Sequence, residues 1–324
     1  MLVTIDKNDR FPMPSYPNGW FQLCYSDELD SGAVMPLSYF GEELVLFRGE
    51  DGAPRLLEAY CAHLGAHLGV GGEVKDNCVV CPFHAWAFDG DGQCTDIPYA
   101  KRIPKKAKVR AWPVVERNGL ILAWNHGDQA VPSWQVPEVP EFGHEEWTEY
   151  TTRRWKIRSH NQEMAENAVD SAHFRYLHKT QNIPPTEATT EDHLLVMESP
   201  ATMTYRGMPV EGRIRSELYG FGFTITRFWG IAETCLVSSA TPIDGEYIDV
   251  RFSFMLRKTL AGSAIDDPAM LEMVAKKFRQ AVERELEQDI PIWENKKYIS
   301  PPVLCDGDGP IGLFRKWCRQ FYVA

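Results

Sequence analysis

The residues with the clearest chemical potential lie between positions 60 and 88. This stretch, YCAHLGAHLGVGGEVKDNCVVCPFHAWAF, holds three cysteines and three histidines in 29 residues. Four of them form two Cys/His pairs, one spaced C-x-H and one spaced C-x-x-H, with 17 residues between the pairs. Thiolate and imidazole are both metal ligands, and an apolar, strand-like run precedes each pair. The spacing therefore predicts two matched loops that bring four ligands together: Cys61, His63, Cys81 and His84.

A Cys2His2 set has two chemical interpretations, a tetrahedral zinc ion or a 2Fe-2S cluster with two cysteines on one iron and two histidines on the other. Zinc fingers usually place both cysteines before both histidines, whereas each loop here supplies one of each. That order favours the cluster, with structural zinc as the alternative. Imidazole ligands raise the potential of such a cluster, so it would pass single electrons. His67 and Cys78 are interpreted as a loop histidine and a buried thiol rather than as ligands.

An electron relay needs an acceptor, and a second group of polar residues offers one. The sequence Glu166-Asn167-x2-Asp170-x2-His173-x4-His178 contains two histidines close together. Two histidines and one carboxylate form the facial triad of non-haem iron(II), which leaves positions open for dioxygen and substrate. Residues i and i+5 do not share a helical face, so this motif is weak alone. Its combination with the cluster motif predicts a mononuclear iron site.

The missing carboxylate is predicted on a helix spanning residues 266 to 297. At 100° per residue its apolar side chains form one stripe, made of Leu271, Val274, Ala275, Phe278, Val282, Leu286 and Trp293. Asp289 lies in the middle of this stripe, and Glu285 lies on it as well. Periodicity leaves the choice between these two acids open. Glu283, Glu287 and Glu294 are predicted to lie on the solvated face or at the edge of the stripe.

The elements that position these residues suggest two domains. Residues 17 to 127 are rich in short apolar runs broken by Gly, Pro and Asp, which is typical of an all-β module. The proline-rich, acidic segment 131 to 147 predicts a connector, so we expect domains at 1–130 and 131–324. The second domain is predicted to be α+β. Its expected elements are a helical stretch at 161–179, strands near 219–230 and 247–256, and the long helix.

Composition restricts the function classes. The chain has 324 residues, 44% of them hydrophobic, and no apolar run long enough for a membrane span. The first twenty residues contain acids and prolines where a secretory signal would be apolar, which predicts a cytoplasmic protein. Eight cysteines in a reducing compartment favour metal ligation over disulfides. The net charge of −11 argues against nucleic acid as a partner.

Taken together, these motifs resemble the Rieske non-haem iron oxygenases, whose catalytic subunits join an N-terminal Rieske domain to a C-terminal mononuclear-iron domain. Four segments resemble the steroid-acting group of that family, which includes 3-ketosteroid 9α-hydroxylase oxygenases and cholesterol 7-desaturases. The segments are CAHLGAHLGVGG, CPFHAWAFDGDGQCTDIPYAK, EQDIPIWENK and DGDGPIGLFRKWCRQFY. The resemblance implies an α+β fold, with an all-β cluster domain followed by an antiparallel sheet flanked by helices around a deep pocket.

The resemblance also assigns roles to individual residues. It implies that Cys61, His63, Cys81 and His84 hold the 2Fe-2S cluster. The implied iron ligands are His173, His178 and Asp289, so it favours Asp289 over Glu285. Asp170 would bridge His84 of one subunit to His173 of the next in a ring-shaped homotrimer. Many family members carry Asn four residues before the bridging Asp, where this chain has Glu166 beside Asn167.

The function implied is that of a terminal oxygenase, a monooxygenase that uses O2 and electrons from a separate NAD(P)H-dependent, ferredoxin-type reductase. It would hydroxylate or desaturate a hydrophobic, steroid-like substrate. The alternative within the class is an oxygenase or demethylase for another ring compound. Two other classes stay open at this stage, an electron carrier with a structural second domain and a zinc-stabilised binding module.

A basic segment and an alternating apolar segment can each be interpreted in two ways. Residues 100 to 110, AKRIPKKAKVR, place six positive charges near the cluster loops. They predict either a docking surface for an acidic reductase or a plain solvated loop. The alternating side chains of Phe221, Phe223 and Ile225 predict either a pocket wall or the core behind a sheet, and core is the expectation for any single one.

Overall fold

The structure is a computed structural model that describes residues 10–180, 182–205 and 208–323. The prediction that the N-terminal segment is not an export signal concerns residues 1–20, and residues 1–9 lie outside the described range. Within the described residues, no helix combines the length and the apolar character needed to cross a membrane.

The N-terminal part is built from short strands, as predicted. They form three small antiparallel sheets with the orders β1-β11-β10, β2-β3-β4-β9 and β5-β6-β7-β8. The strands are β1 (Gly19–Tyr25), β2 (Val34–Tyr39), β3 (Glu42–Arg48), β4 (Pro54–Glu58), β5 (Glu73–Lys75), β6 (Cys78–Val80), β7 (Ala87–Phe88), β8 (Cys94–Asp96), β9 (Ala111–Trp112), β10 (Val114–Arg117) and β11 (Leu120–Asn125). A 3-10 turn covers Ser26–Glu28.

The C-terminal part contains a seven-stranded antiparallel sheet, which confirms the predicted α+β architecture. Its order is β12-β18-β17-β16-β15-β14-β13. The strands are β12 (Thr151–Ile157), β13 (Glu187–Glu191), β14 (Leu194–Tyr205), β15 (Met208–Tyr219), β16 (Phe223–Trp229), β17 (Thr234–Pro242) and β18 (Ile248–Leu256), with a small hairpin of β19 (Thr259–Leu260) and β20 (Ser263–Ala264). The helices are α1 (Asn161–Glu166), α2 (Ser171–Tyr176), α3 (Pro268–Asn295) and α4 (Ile311–Cys318), and the 3-10 turn Arg319–Phe321 follows α4.

The long helix α3 begins and ends within two residues of its predicted limits. Asp267 caps it by accepting a hydrogen bond from Ala269 N–H at 3.0 Å, and Pro268 occupies the first turn, where its missing N–H costs nothing. The predicted stripe packs on the sheet, with Leu286 and Trp293 buried. The prediction that the Glu283 side chain is solvated was wrong, because this residue is buried.

Glu283 is only 7% exposed, and its carboxylate lies 3.1 Å from Arg153 Nε of β12. Arg279, one turn earlier on α3, also lies 3.4 Å from this carboxylate. Helix periodicity indicates that partner, but it could not indicate Arg153, which comes from a strand 130 residues earlier. A charge on the edge of an apolar stripe can be buried when a distant strand supplies its counter-ion.

The helical stretch predicted at 161–179 is interrupted. Asp170 adopts an extended conformation, with φ −84° and ψ 97°, and its side chain caps α2. An N-cap residue has non-helical torsions, so the aspartate that starts one helix cannot continue the preceding one. Two short helices with a turn between them replace the continuous stretch.

The segment between the two parts, residues 131 to 147, forms neither a helix nor a strand, as its proline content predicted. The two parts nevertheless share a hydrophobic core: Leu122 and Trp124 of β11 pack with Phe223 and Ile225 of β16. The division of the chain near residue 130 stays a prediction.

Two candidate metal centres

The two predicted cluster loops have the same backbone hydrogen bonds. In each loop the cysteine N–H donates to the carbonyl five residues later, and its carbonyl accepts from the N–H four residues later. The bonds are Cys61 N to Ala66 O, Gly65 N to Cys61 O, Cys81 N to Trp86 O and Ala85 N to Cys81 O, at 2.8 to 3.0 Å. Gly65 and Ala85 occupy the left-handed region, with φ of 75° and 57°. The loops are therefore matched turns that each begin at a buried cysteine.

The side chains of these loops are close together. The rings of His63 and His84 lie 4.7 Å apart, and His63 stacks on Trp86 at 4.6 Å. Burial raises the pKa of Cys61 to about 11, and the neighbouring Cys81 thiol adds to the effect. The Nδ1 atom of His63 is buried and has no hydrogen-bond partner among the described residues. Buried polar atoms are rarely left unpaired, so this nitrogen fits a metal ligand.

The arrangement of the loop residues favours the cluster over zinc. The donors of one tetrahedral zinc ion must lie within roughly 4 Å of one another, because Zn–N and Zn–S bonds are about 2.0 to 2.3 Å long. Over the described ranges, three donors within 4.8 Å of one another occur at a different place, at His173, His178 and Asp289. The four loop residues do not converge in this way. Their spread fits ligands divided between the two irons of a cluster.

The remaining donors of the opening stretch have partners of their own. His67 Nδ1 accepts a hydrogen bond from Gly69 N–H at 3.1 Å, and its Nε2 lies 3.8 Å from Glu43. The Cys78 thiol lies 3.5 Å from the Thr95 hydroxyl. These contacts agree with a structural role for both residues. The prediction of a buried thiol at Cys78 was wrong, because only the central residue of β6, Val79, is buried and Cys78 is partly exposed.

The second candidate centre brings His173, His178 and Asp289 to one point. His173 Nδ1–H donates to the Asp170 carbonyl at 2.5 Å, and His178 Nδ1–H donates to Gln288 Oε1 at 2.9 Å. Each ring thus has one nitrogen occupied, which leaves Nε2 for a metal. His178 Nε2 lies 3.5 Å from Asp289 Oδ1. Three converging donors on one side of a cavity fit the facial triad of iron(II).

The charge state of His178 reflects its neighbours. Burial lowers its pKa, but the hydrogen bonds to Asp289 and Gln288 outweigh burial, so the pKa is raised overall. A metal ion and a proton would compete for the same nitrogen.

The backbone explains how histidines five residues apart can meet. Helix α2 ends at Tyr176, and the chain turns through Lys179, which has φ 62°. His178 therefore lies after the helix rather than on it, and its ring comes within 5.0 Å of the His173 ring. The objection that i and i+5 do not share a helical face does not apply once the helix has ended.

Both acids proposed from the helix stripe line the same cavity. Asp289 is 7% exposed and belongs to the converging set, whereas Glu285 does not. Glu285 faces the cavity, where the surrounding protein desolvates its carboxylate and raises its pKa, with a further contribution from Asp289. The geometry therefore agrees with the choice of Asp289.

Asp170 lies directly before the helix that carries His173. One of its carboxylate oxygens accepts hydrogen bonds from Ala172 N–H at 3.2 Å and His173 N–H at 3.4 Å. The other lies 4.0 Å from His173 Nδ1, and the side chain is 34% exposed. Among the described residues no hydrogen bond or ion pair joins Asp170 to His84 of the same chain.

Glu166 and Asn167, which lie four and three residues before Asp170, have different environments. The Glu166 carboxylate receives two hydrogen bonds from Arg315 of α4, at 2.6 and 2.9 Å. Asn167 lines the cavity and accepts a hydrogen bond from Trp293 Nε1 at 3.3 Å. Asn167 thus lies beside the candidate iron site, whereas Glu166 connects α1 to the C-terminal helix α4 through Arg315.

A cavity of about 210 Å³ lies between α3 and the seven-stranded sheet, and the candidate iron ligands form part of its wall. Phe223 and Ile225 point to the opposite face of the sheet and belong to the core, as expected. Phe221 touches both the core and the cavity. Thr224 and Thr226 of β16 face the cavity, and the sequence analysis did not identify them. The alternation in FGFTITRF contained that signal, because the residues between the core positions must face the other side.

Comparison with known proteins agrees with this geometry. Residues 19–113 match the Rieske [2Fe-2S] domain, and residues 123–322 match the 3-ketosteroid 9alpha-hydroxylase C-terminal domain. The cholesterol 7-desaturase of Caenorhabditis elegans is 34% identical, over 95% of this chain and 77% of its own length. A probable 3-ketosteroid-9-alpha-monooxygenase oxygenase component of Rhodococcus rhodochrous is 33% identical, over 96% and 81%.

Among solved structures, dicamba monooxygenase bound to dicamba has a similar fold, with a TM-score of 0.73 at 19% identity over 94% of this chain and 97% of that one. The matched loops, the converging donors and the two family matches agree with one another. The chain therefore belongs to the Rieske non-haem iron oxygenases, with a C-terminal domain of the 3-ketosteroid 9α-hydroxylase type.

Proposed function

We propose that this protein hydroxylates or desaturates a hydrophobic, steroid-like ring compound. The observation that carries the proposal is the convergence of His173, His178 and Asp289 on the wall of a cavity whose other lining side chains are mostly apolar. The relatives named for cholesterol and 3-ketosteroids support the substrate class.

As a family member, the protein is the terminal oxygenase of a Rieske system, with a 2Fe-2S cluster, a mononuclear iron and O2 as co-substrate. When bound, the cluster would supply single electrons, and the iron would activate dioxygen. We assign the cluster to Cys61, His63, Cys81 and His84, and the iron to His173, His178 and Asp289. The backbone carbonyl of Asp170 and the amide of Gln288 would orient the two iron-binding rings.

We further propose that Asp170 connects the two centres across a subunit boundary of a homotrimer. Its carboxylate is one-third exposed, so it can reach a neighbouring chain. Large apolar side chains surround the cluster loops in the isolated chain, with Leu64 66% and Phe83 62% exposed, and Tyr60, Val70 and Tyr99 exposed too. A second copy that covered this surface would remove it from water.

The basic segment from residue 100 to residue 110 is proposed as the docking surface for the reductase. Lys101, Lys105 and Lys106 are exposed. Ala107 and Val109 are buried in the same hydrophobic cluster as Cys61 and Cys81. The charges therefore lie on a segment packed directly against the cluster domain core, where an electron donor must approach.

Replacing Lys101, Lys105 and Lys106 together by Glu is expected to slow cluster reduction by the reductase at least about tenfold at low salt, because electrostatic steering is lost. Stopped-flow bleaching of the cluster at increasing salt measures the effect, and the variant should lose most of its salt dependence. Chemical reduction should stay unchanged. The matched control is the reversal of Lys276 and Lys277, which are exposed on α3. Equal slowing in both variants would contradict docking at this segment.

A cytoplasmic location is also proposed. None of the eight cysteines, all of which lie in the described residues, forms a disulfide, which suits a reducing compartment.

Single turnover tests the proposed reaction. The iron-replete protein is reduced chemically, mixed with O2 and a panel of sterols and 3-ketosteroids, and analysed by mass spectrometry. We expect a product that has gained one oxygen or lost two hydrogens. Turnover of a non-steroid ring compound, with no steroid product, would reject the steroid class and retain the oxygenase chemistry.

A further inference from the structure

The sheet side of the cavity carries a group of hydroxyl side chains. Thr224 of β16 is directly opposite Ser238 of β17, and Ser216 of β15 is directly opposite Thr226 of β16. All four line the cavity. Directly opposed residues on neighbouring strands project from the same face of a sheet, so these hydroxyls form one polar patch in the cavity wall.

The two pairs differ in their hydrogen bonds. The hydroxyls of Ser216 and Thr226 bond to each other at 2.9 Å. Neither the Thr224 nor the Ser238 side-chain hydroxyl makes a hydrogen bond to any other part of the described chain, although both are partly buried. On the strands that flank the Thr224–Ser238 pair, Leu218 is opposite Thr224 and Phe252 is opposite Ser238, and both project from the same face.

A hydroxyl in an apolar wall needs a partner, because leaving it unpaired is costly. In the substrate-free protein this partner would be water, and a ligand that displaces the water must replace its hydrogen bonds. The cavity lining, which lies entirely within the described residues, contains no Lys or Arg, and Glu285 and Asp289 add negative charge. The lining thus offers no Lys or Arg to pair with an anionic ligand beside the sheet, whereas a neutral oxygen there would find two hydroxyls.

We propose that Thr224 and Ser238 bind a neutral carbonyl oxygen on an otherwise apolar ring substrate. The iron ligands come from α2, α3 and the turn after α2, and the hydroxyls come from the sheet. The ligand would lie between these walls, so the hydroxyl pair would determine which carbon faces the iron. This inference rests on the proposed use of the cavity as the substrate site.

The test measures equilibrium binding of matched ligand pairs by dialysis without O2. One pair is a 3-ketosteroid and its 3-deoxy analogue, and the other is a non-steroid polycyclic ketone and its parent hydrocarbon. Wild type is expected to prefer the ketone of at least one pair about tenfold or more, in line with one to two hydrogen bonds. A carboxylated analogue should bind more weakly than the ketone.

Thr224→Val combined with Ser238→Ala should reduce the preference to about twofold or less, with the affinity for the hydrocarbon retained. Ser216→Ala is the matched control, because its hydroxyl already has a partner within the protein, and the preference should persist. Thr224→Ser retains a hydroxyl at this position, so this variant should also retain the ketone preference. In a turnover assay, the double variant should oxidise additional carbons.

Three results would overturn the inference: no ketone preference in wild type, an unchanged preference in the double variant, or an equal loss in Ser216→Ala. A preference seen only with the non-steroid pair would support the hydroxyl pair and reject the steroid class. The failure of the proposed function can thus be told apart from the failure of this inference.

Discussion

Asp289→Ala is expected to retain the 2Fe-2S cluster but to lose the mononuclear iron and all measurable turnover. The Asp289 carboxylate is almost buried and is one of three converging donors, with His178 Nε2 at 3.5 Å. With the carboxylate removed, two neutral histidines would remain, and a facial triad needs all three ligands. The loops that begin at Cys61 and Cys81 lie in another part of the fold and share no hydrogen bond with Asp289, so we expect the proposed cluster ligands to be unaffected.

Metal and sulfide analysis measures this outcome. The iron content should fall from about three to about two per chain, while acid-labile sulfide stays near two and the cluster absorbance is unchanged. The turnover rate should fall by more than the roughly 100-fold that the loss of an outer-shell partner can cost.

Glu285→Gln provides the matched control, because Glu285 lies one helical turn earlier and lines the same cavity. This variant should keep about three irons per chain. If it lost the mononuclear iron and Asp289→Ala retained it, the assignment of the two acids would have to be exchanged. The experiment thus resolves the alternative that helix periodicity left open.

The sequence predicted the cluster loops well because their information is local. A cysteine, a histidine two or three residues later and a left-handed residue within one short turn define the whole loop, as Gly65 and Ala85 demonstrate. The long helix was equally accessible, since its cap and its apolar stripe are contained in one continuous segment. The candidate iron site combines two such local segments, and the family resemblance was needed to favour Asp289 over Glu285.

What the sequence did not reveal depends on contacts between distant segments. The buried Glu283 pairs with Arg153 of another element as well as with Arg279 on its own helix, and only the second contact is local. The hydroxyls of Thr224 and Ser238 become a pair only through the register of β16 and β17. The interruption before α2 was missed for a different reason: Asp170 can occupy either a helix interior or a cap, and helical periodicity does not separate the two.

Asp170 is also where the second large effect is expected, and the structure shows why the choice of substitution matters. Its side chain caps α2, so Asp170→Ala should destabilise the protein by about 1 kcal/mol in addition to any effect on electron transfer. Asparagine can keep the cap while it removes the charge. The His173 ring is held by the backbone carbonyl of residue 170, which both substitutions preserve.

Asp170→Asn should therefore retain the cluster, the iron and the thermal midpoint of unfolding, yet lose about 100-fold or more in turnover, the upper range for loss of an outer-shell partner. Stopped-flow oxidation of the reduced cluster, with substrate and O2 present, locates the defect: cluster reduction by the reductase should stay normal while cluster oxidation becomes slow. If Asp170 only oriented His173, the variant would instead lose iron and oxidise its cluster in proportion to the iron that remains. Wild-type turnover in Asp170→Asn would contradict the bridging role, because the proposal assigns the connection between the histidines of two subunits to the carboxylate charge.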